Sequence, residues 1–294
     1  MARTSLCACL ILALIGAGCS DDRRRVTVGS KNFLEQVLLG ELIAQHLERR
    51  LGITVDRRLN LGGTMLAHRA LLNGDIDLYP EYTGTALTAV LDLPASADVQ
   101  LVRDRVKREY DQRYGLQWLD PLGFENTFAM IVRRADAERD QLESLSDATH
   151  RPAAWTMGVG YEFQQRPDGL PRLLDTYALK LTGPPTTMDL GLLYRALEQR
   201  QVNMIAGNST DGPISVFDVT VLRDDQQSFP AYEAAIVVRP DSLDRVPGLS
   251  GVLNELTGRL NEDTMRRLNY QAVTRRGQVA DVAREFLDTA DIAR

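Results

Sequence analysis

Between residues 26 and 79 the apolar residues change period four times, and that switching restricts the fold more than any other feature of the chain. Val26-Thr27-Val28 is a short apolar run closed by Gly29, which predicts a strand. Phe33, Val37, Leu38, Leu42, Ile43 and Leu47 then recur at helical spacing, the mark of an amphipathic helix. Ile53-Thr54-Val55 resumes the extended pattern, residues 64–72 read as a second helix ending near Asn73-Gly74, and Ile76-Asp77-Leu78-Tyr79 reads as a third strand. Strand, helix, strand, helix, strand implies parallel α/β architecture, because parallel neighbours need a crossover that helices supply.

The pattern recurs further along. After a helical stretch at 98–114, the bounded apolar run 127–132 predicts a buried strand. A second series follows, with strands at 156–159 and 202–206 and helices at 170–181 and 190–200. Further strands are expected at 219–222 and 234–238, and the chain ends in helix from about 248 to 290. Two such series with a returning third segment predict two lobes: residues 26–125 and 232–294 in lobe 1, residues 126–231 in lobe 2. The chain would cross near 124–131 and 224–232, and two crossings make a hinge about which rigid lobes close.

Residues 1–18 carry Arg3, an apolar run from Leu10 to Ile15 and the small residues Gly16-Ala17-Gly18, the layout of a signal peptide. Cys19 follows directly, where a bacterial lipoprotein is acylated, so 19–25 reads as a lipidated tether and the mature chain as extracytoplasmic and membrane-anchored. Cys7 and Cys9, the other cysteines, fall inside the signal, which leaves a processed chain no thiol for catalysis, metal binding or a disulfide.

Several function classes are disfavoured. Removing Arg3 takes the 34 basic residues to 33 against 40 acidic ones, with no basic stripe, so nucleic acid is not an expected partner. His46, His68 and His150 are scattered, without an H-E-x-x-H pair, and no G-x-S-x-G elbow or Walker loop occurs. Asp75-Ile76-Asp77 and Asp224-Asp225 lack the spacing of a calcium loop. A binding protein, not an enzyme, with no cofactor and no metal, is the expectation.

Polar, glycine-rich turns do stand out, and they fall at predicted strand ends, the edge where open α/β sheets bind ligands. They are residues 29–31, 61–64, 80–85, 162–169, 208–212 and 229–232. Around and between them run G-S-K-N-F-L-E-Q from Gly29, N-L-G-G-T from Asn60, G-D-I-D-L-Y-P-E-Y-T-G-T from Gly74 and G-F-E-N-T-F-A from Gly123. E-F-Q-Q-R-P-D-G-L-P from Glu162, M-D-L-G-L-L-Y from Met188, S-T-D-G from Ser209, F-P-A-Y-E-A-A from Phe229 and L-N-Y from Leu268 continue the set. In these segments the chain resembles the substrate-binding proteins of osmoprotectant ABC importers, which take glycine betaine, choline and carnitine. The resemblance implies a type II periplasmic-binding-protein fold, a ligand cleft between the lobes, a monomer, and partnership with a permease and an ATPase.

It also implies site residues. A trimethylammonium group is charged but has no hydrogen-bond donor, so aromatic faces hold it best, while a carboxylate needs charged or hydroxyl donors. By resemblance, Tyr82, Tyr232 and Phe128 occupy box positions, and Lys31, Thr85 and Arg166 hold the carboxylate end. Asn208 stands where many relatives have a further box tyrosine. Losing that ring should weaken capture of a bare trimethylammonium and make room for a larger betaine, of ergothioneine-like or carnitine-like kind. A sensory binding protein that feeds no pore is a further alternative.

Overall fold

The computed structural model describes residues 25–151, 153–275 and 278–290. The signal peptide and Cys19 lie outside the described residues.

Among the described residues the strands form two five-stranded sheets, each the floor of an α/β lobe. The first has the order β2-β1-β3-β10-β4, with β1 Arg25–Gly29, β2 Thr54–Arg58, β3 Leu78–Tyr82, β4 Gln117–Trp118 and β10 Ala234–Val238. The second has the order β7-β6-β8-β5-β9, with β5 Phe128–Arg133, β6 Met157–Val159, β7 Thr186–Thr187, β8 Met204–Asn208 and β9 Val219–Leu222. In each sheet four strands run the same way and the fourth in order is antiparallel to both its neighbours. That antiparallel strand is the one that follows a crossing: β5 enters the second sheet after residues 119–127, and β10 enters the first after residues 223–233. The crossings run side by side and pair at Glu125↔Glu233.

Helix α1 (Leu34–Leu51) follows β1 as the periodicity requires. It buries Leu38, Leu42, Ile43 and Leu47 against the first sheet and the helix Val279–Thr289, and ends on Gly52 in the left-handed conformation, whose N–H bonds to the Glu48 carbonyl. Helix α2 (Thr64–Asn73) follows β2, and its N-cap residue, Gly63, has no side chain with which to cap it.

Three readings need correction. Pro80-Glu81-Tyr82, expected as a turn, is the second half of β3, while Ile76 and Asp77 precede the strand. Glu81, Pro80 and Tyr79 pair with Ala235, Ile236 and Val237 of β10, whereas pairing with β1 occurs only at Val28↔Leu78. A proline is tolerated where one side of a strand has little ladder to lose. The turn expected at 162–169 begins as the helix Tyr161–Gln165, and the helix expected to reach 181 stops at Tyr177, where Ala178 turns left-handed.

Candidate ligand-binding cleft

Loops leaving the carboxyl ends of parallel strands in both sheets meet at a cavity of about 620 Å3. That volume is ordinary for a small-molecule site. Lys31, Tyr82, Thr85, Phe128, Arg166, Asn208 and Tyr232 all line it, so the structure brings together every site residue named from the sequence. Loop 29–32 and loop 60–63 are laced by Leu61 N–H to the Ser30 carbonyl and Asn32 N–H to the Gly62 carbonyl, both at 3.0 Å. Gly62 has φ +133°, a region costly for a side chain, which explains a glycine at that point.

Aromatic rings form two walls. Tyr82, at the end of β3, lies 6.2 Å from Phe33 with the rings 24° from parallel. Phe128, at the start of β5, meets Tyr232 of the second crossing edge-on at 5.7 Å, and Phe163 and Phe229 edge-on at 4.8 and 5.6 Å. Tyr232 is held close to the start of the helix after β3: a Cβ on Gly84 would stand 2.5 Å from the Ala231 carbonyl oxygen and 2.6 Å from the Tyr232 ring.

The cleft's cations lie over these rings and are paired. Lys31 Nζ stands 4.8 Å from the Tyr82 ring centre and bonds to Glu81 at 2.5 Å, with both side chains buried. The Arg166 guanidinium stands 5.0 Å from the Phe128 centre and 5.8 Å from that of Tyr232. Arg166 Nε and Nη2 donate to the two oxygens of Asp168 at 2.9 and 2.5 Å, and the Tyr232 hydroxyl donates to Asp168 at 2.5 Å. Burial pushes the Asp168 carboxyl up, but Arg166 and the hydrogen bonds outweigh it and hold it below the usual carboxylate range. Burial raises the Tyr232 hydroxyl well above its ordinary value, so it remains a donor at neutral pH.

Asn208 is the direct neighbour of Phe128 across the sheet. Its amide Nδ2 donates to Asp211 at 3.2 Å and its backbone N–H to the same carboxylate at 2.9 Å; the Tyr194 hydroxyl donates there too, at 2.9 Å. The position where a box ring was expected thus opens onto a polar corner in which burial pushes the Asp211 carboxyl up.

Sequence reasoning gave no role to Glu35, and the structure makes it a hub. Its carboxylate accepts from Tyr82 Oη at 2.7 Å, Asn126 Nδ2 at 2.8 Å, Thr210 Oγ1 at 2.5 Å and Asn269 Nδ2 at 2.6 Å. These donors come from β3, the first crossing, the turn after β8 and the C-terminal helix Glu262–Thr274. Burial pushes the Glu35 carboxyl up, and the four donors pull against it. Each of the five residues lies in a segment already quoted for the family resemblance, so the signal was present without its geometry.

Glu162 joins the two lobes. Its carboxylate accepts from the backbone N–H of Thr64 at 2.5 Å and from Thr64 Oγ1 at 2.9 Å, and it lies 3.6 Å from Arg166 Nη1. Burial would raise its carboxyl; Lys31, Arg166 and the Thr64 bonds hold it below the usual range.

Two of the acids weighed as metal ligands accept hydrogen bonds from the protein itself. Asp77 accepts from Arg245, Ser242 and the Thr27 N–H, and Asp224 from Tyr177 and the N–H groups of Ser228 and Phe229.

The comparisons with known proteins bear on the family and the fold. The family described as the substrate-binding domain of ABC-type glycine betaine transport systems matches residues 24–289. The chain belongs to this family. The substrate-binding domain is 35% identical over 294 residues to the glycine-betaine-binding protein of Pseudomonas aeruginosa, covering 96% of this chain and 93% of that one. It is 32% identical over 268 residues to an ergothioneine transport permease/ergothioneine binding protein of Helicobacter pylori, covering 91% of this chain but 48% of the relative, so it spans about half of that protein's length. Among solved structures, a crystal structure of a glycine betaine/carnitine/choline ABC transporter superposes with a TM-score of 0.77 at 29% identity, covering 92% of this chain and all of that one. The family is one of transport substrate-binding proteins, and the fold is the type II binding-protein fold expected from the sequence. Among the described residues no helix is long and apolar enough to cross a membrane.

Proposed function

We propose that the protein is the extracytoplasmic receptor of an ABC importer, capturing a zwitterionic quaternary-ammonium compound between its lobes and delivering it to a permease driven by an ATPase. The observation that carries this reading is the meeting, in one cavity, of Tyr82, Phe128 and Tyr232 with two ion-paired cations, Lys31 and Arg166. Aromatic faces attract a methylated cation, each contact contributing about 0.5–2 kcal/mol. Because Glu81 and Asp168 already balance Lys31 and Arg166, the cleft favours a ligand that brings both charges, not a bare anion. Arg166 Nη1 and the remaining protons of Lys31, with the Thr85 hydroxyl, are the donors left for a carboxylate.

Asn208 and its partners favour a second reading for ligand size. In place of a ring the cavity has an amide and beyond it Asp211 and Tyr194, which suits a larger betaine with a polar substituent; the Helicobacter relative, named for ergothioneine, is consistent with that. We further propose that lobe 1 comprises residues 26–125 and 232–294 and lobe 2 residues 126–231, that Cys19 carries a lipid anchor after removal of residues 1–18, and that the receptor acts as a monomer without catalysis.

A thermal-shift screen over glycine betaine, carnitine, choline and ergothioneine tests the reading. Ligand at about 100 times its Kd stabilises the folded state by roughly 2.7 kcal/mol. At least one betaine should raise Tm in the wild type, and Tyr232→Ala should abolish the shift. A wild type indifferent to every quaternary amine refutes the assignment.

A further inference from the structure

Helix α2 has no cap of its own, because Gly63 at its N-cap carries no side chain. The first backbone N–H of that helix is nevertheless satisfied, by Glu162 from the other lobe, which also takes the Thr64 hydroxyl. Glycine is the residue that permits it: a Cβ at position 63 would stand 2.5 Å from the Glu162 carboxylate oxygen. The cap is therefore complete only when the lobes are together. Both Gly63 and Glu162 line the ligand cavity, so the contact closes over the site.

We propose that Glu162 is a closure latch: it caps helix α2 across the cleft, and by doing so sets how much of the receptor is closed before ligand arrives and how slowly ligand leaves. Separating the lobes exposes an uncapped helix end, with its positive partial charge, and removes Glu162 from Lys31. A helix cap of this kind alters an equilibrium about two- to thirty-fold. The same factor applies to the closed fraction and, since dissociation requires opening, to the dissociation rate. Association, which proceeds through the open state, should change little. Glu162 is thus a positioning residue, and the ligand part of the inference rests on the function proposed above.

Small-angle scattering of the ligand-free protein tests the latch directly. Glu162→Ala should raise the radius of gyration above that of the wild type, and Glu162→Gln, which keeps one carbonyl acceptor, should fall between them. Gly63→Ala should reproduce the Glu162→Ala profile by pushing the carboxylate away, which guards against an effect peculiar to one variant. In stopped-flow measurements with the best-binding betaine from the screen, Glu162→Ala should release ligand about two- to thirty-fold faster with association within about twofold of the wild type. Ligand-free scattering of Glu162→Ala and Gly63→Ala no wider than the wild type's overturns the latch, whatever the ligand does. If no quaternary amine binds the wild type, the functional reading fails, and the ligand-free scattering still decides the latch.

Discussion

Asp168→Asn separates the two tasks of Arg166, being stable in the empty cleft and holding a ligand's anionic end. Asp168 is 1% exposed and accepts both Arg166 bonds and the Tyr232 hydroxyl, and among the described residues it is the carboxylate closest to that guanidinium, Glu162 lying 3.6 Å away. Asparagine keeps the shape but removes the charge and turns an amide toward donors. Stranding one member of a buried pair costs about 3–5 kcal/mol. The Arg166 side chain is 10% exposed, and water reaching it places the expected loss near the lower end, about 3 kcal/mol. At about 2–4 °C per kcal/mol for a chain of this size, the ligand-free variant should melt roughly 6–12 °C below the wild type. A betaine carboxylate supplies a closer counterion than Glu162, which lies 3.6 Å from Arg166 Nη1, so saturating ligand should raise the variant's Tm by more than the wild type's. Choline, which has the ammonium group but no carboxylate, should give no such excess. Differential scanning fluorimetry with both ligands measures this. A ligand-free Tm within about 2 °C of the wild type would show that Asp168 does not stabilise Arg166 in the empty cleft, and equal recovery by choline and a betaine would show that Arg166 does not face the ligand's anionic end.

Other perturbations follow from single contacts. Gly84→Ala places a methyl against the Ala231 carbonyl and the Tyr232 ring; overpacking of this kind costs about 1–3 kcal/mol, and urea unfolding together with calorimetric titration should show both lower stability and weaker betaine binding. Asn208→Tyr should restore a box ring, tightening glycine betaine by about 0.5–2 kcal/mol while excluding larger betaines, as read by calorimetry with both ligand sizes. His68 is buried edge-on to Tyr110 and Tyr114, and burial lowers its pKa to about 4. Its unfolded value is about 6.5, so the neutral ring supports the fold fully above that pH, and the support is lost as pH falls from there toward 4. Relative to the wild type, His68→Phe should gain about 2 kcal/mol on passing from pH 7.5 to 4.5, measured by urea midpoints at the two pH values.

What the sequence revealed and concealed follows from the range of the interactions. Helical spacing from Phe33 to Leu47 reports which face of one helix is buried, and α1 lies where that spacing places it. Strand direction has no such signature: β5 and β10 read as apolar runs, and nothing in a run of period two states that each is antiparallel to its neighbours. Pro80 misled because proline usually punctuates, and its tolerance in β3 depends on how little of β1 pairs beside it. The lining residues could be named because each lies in a segment that matches the family, which carries its role over one position at a time. Glu35 could not, since its partners Tyr82, Asn126, Thr210 and Asn269 are drawn from separate elements and meet only in the folded chain. Asp168 sits two residues from Arg166, yet only the structure shows that it also takes the Tyr232 hydroxyl.

The claim on which the account depends is that π-electron faces recognise a permanent positive charge, and it can be measured by changing one atom of the ligand. Titration calorimetry should compare the best-binding betaine with its isostere in which carbon replaces the quaternary nitrogen, leaving size, shape and carboxylate the same. Contacts with two or three rings at about 0.5–2 kcal/mol each predict that the neutral-headed isostere binds at least about fivefold more weakly, and that Tyr232→Ala narrows the difference. Equal affinity for the two compounds would contradict the account, because the cleft would then be sensing only shape and carboxylate.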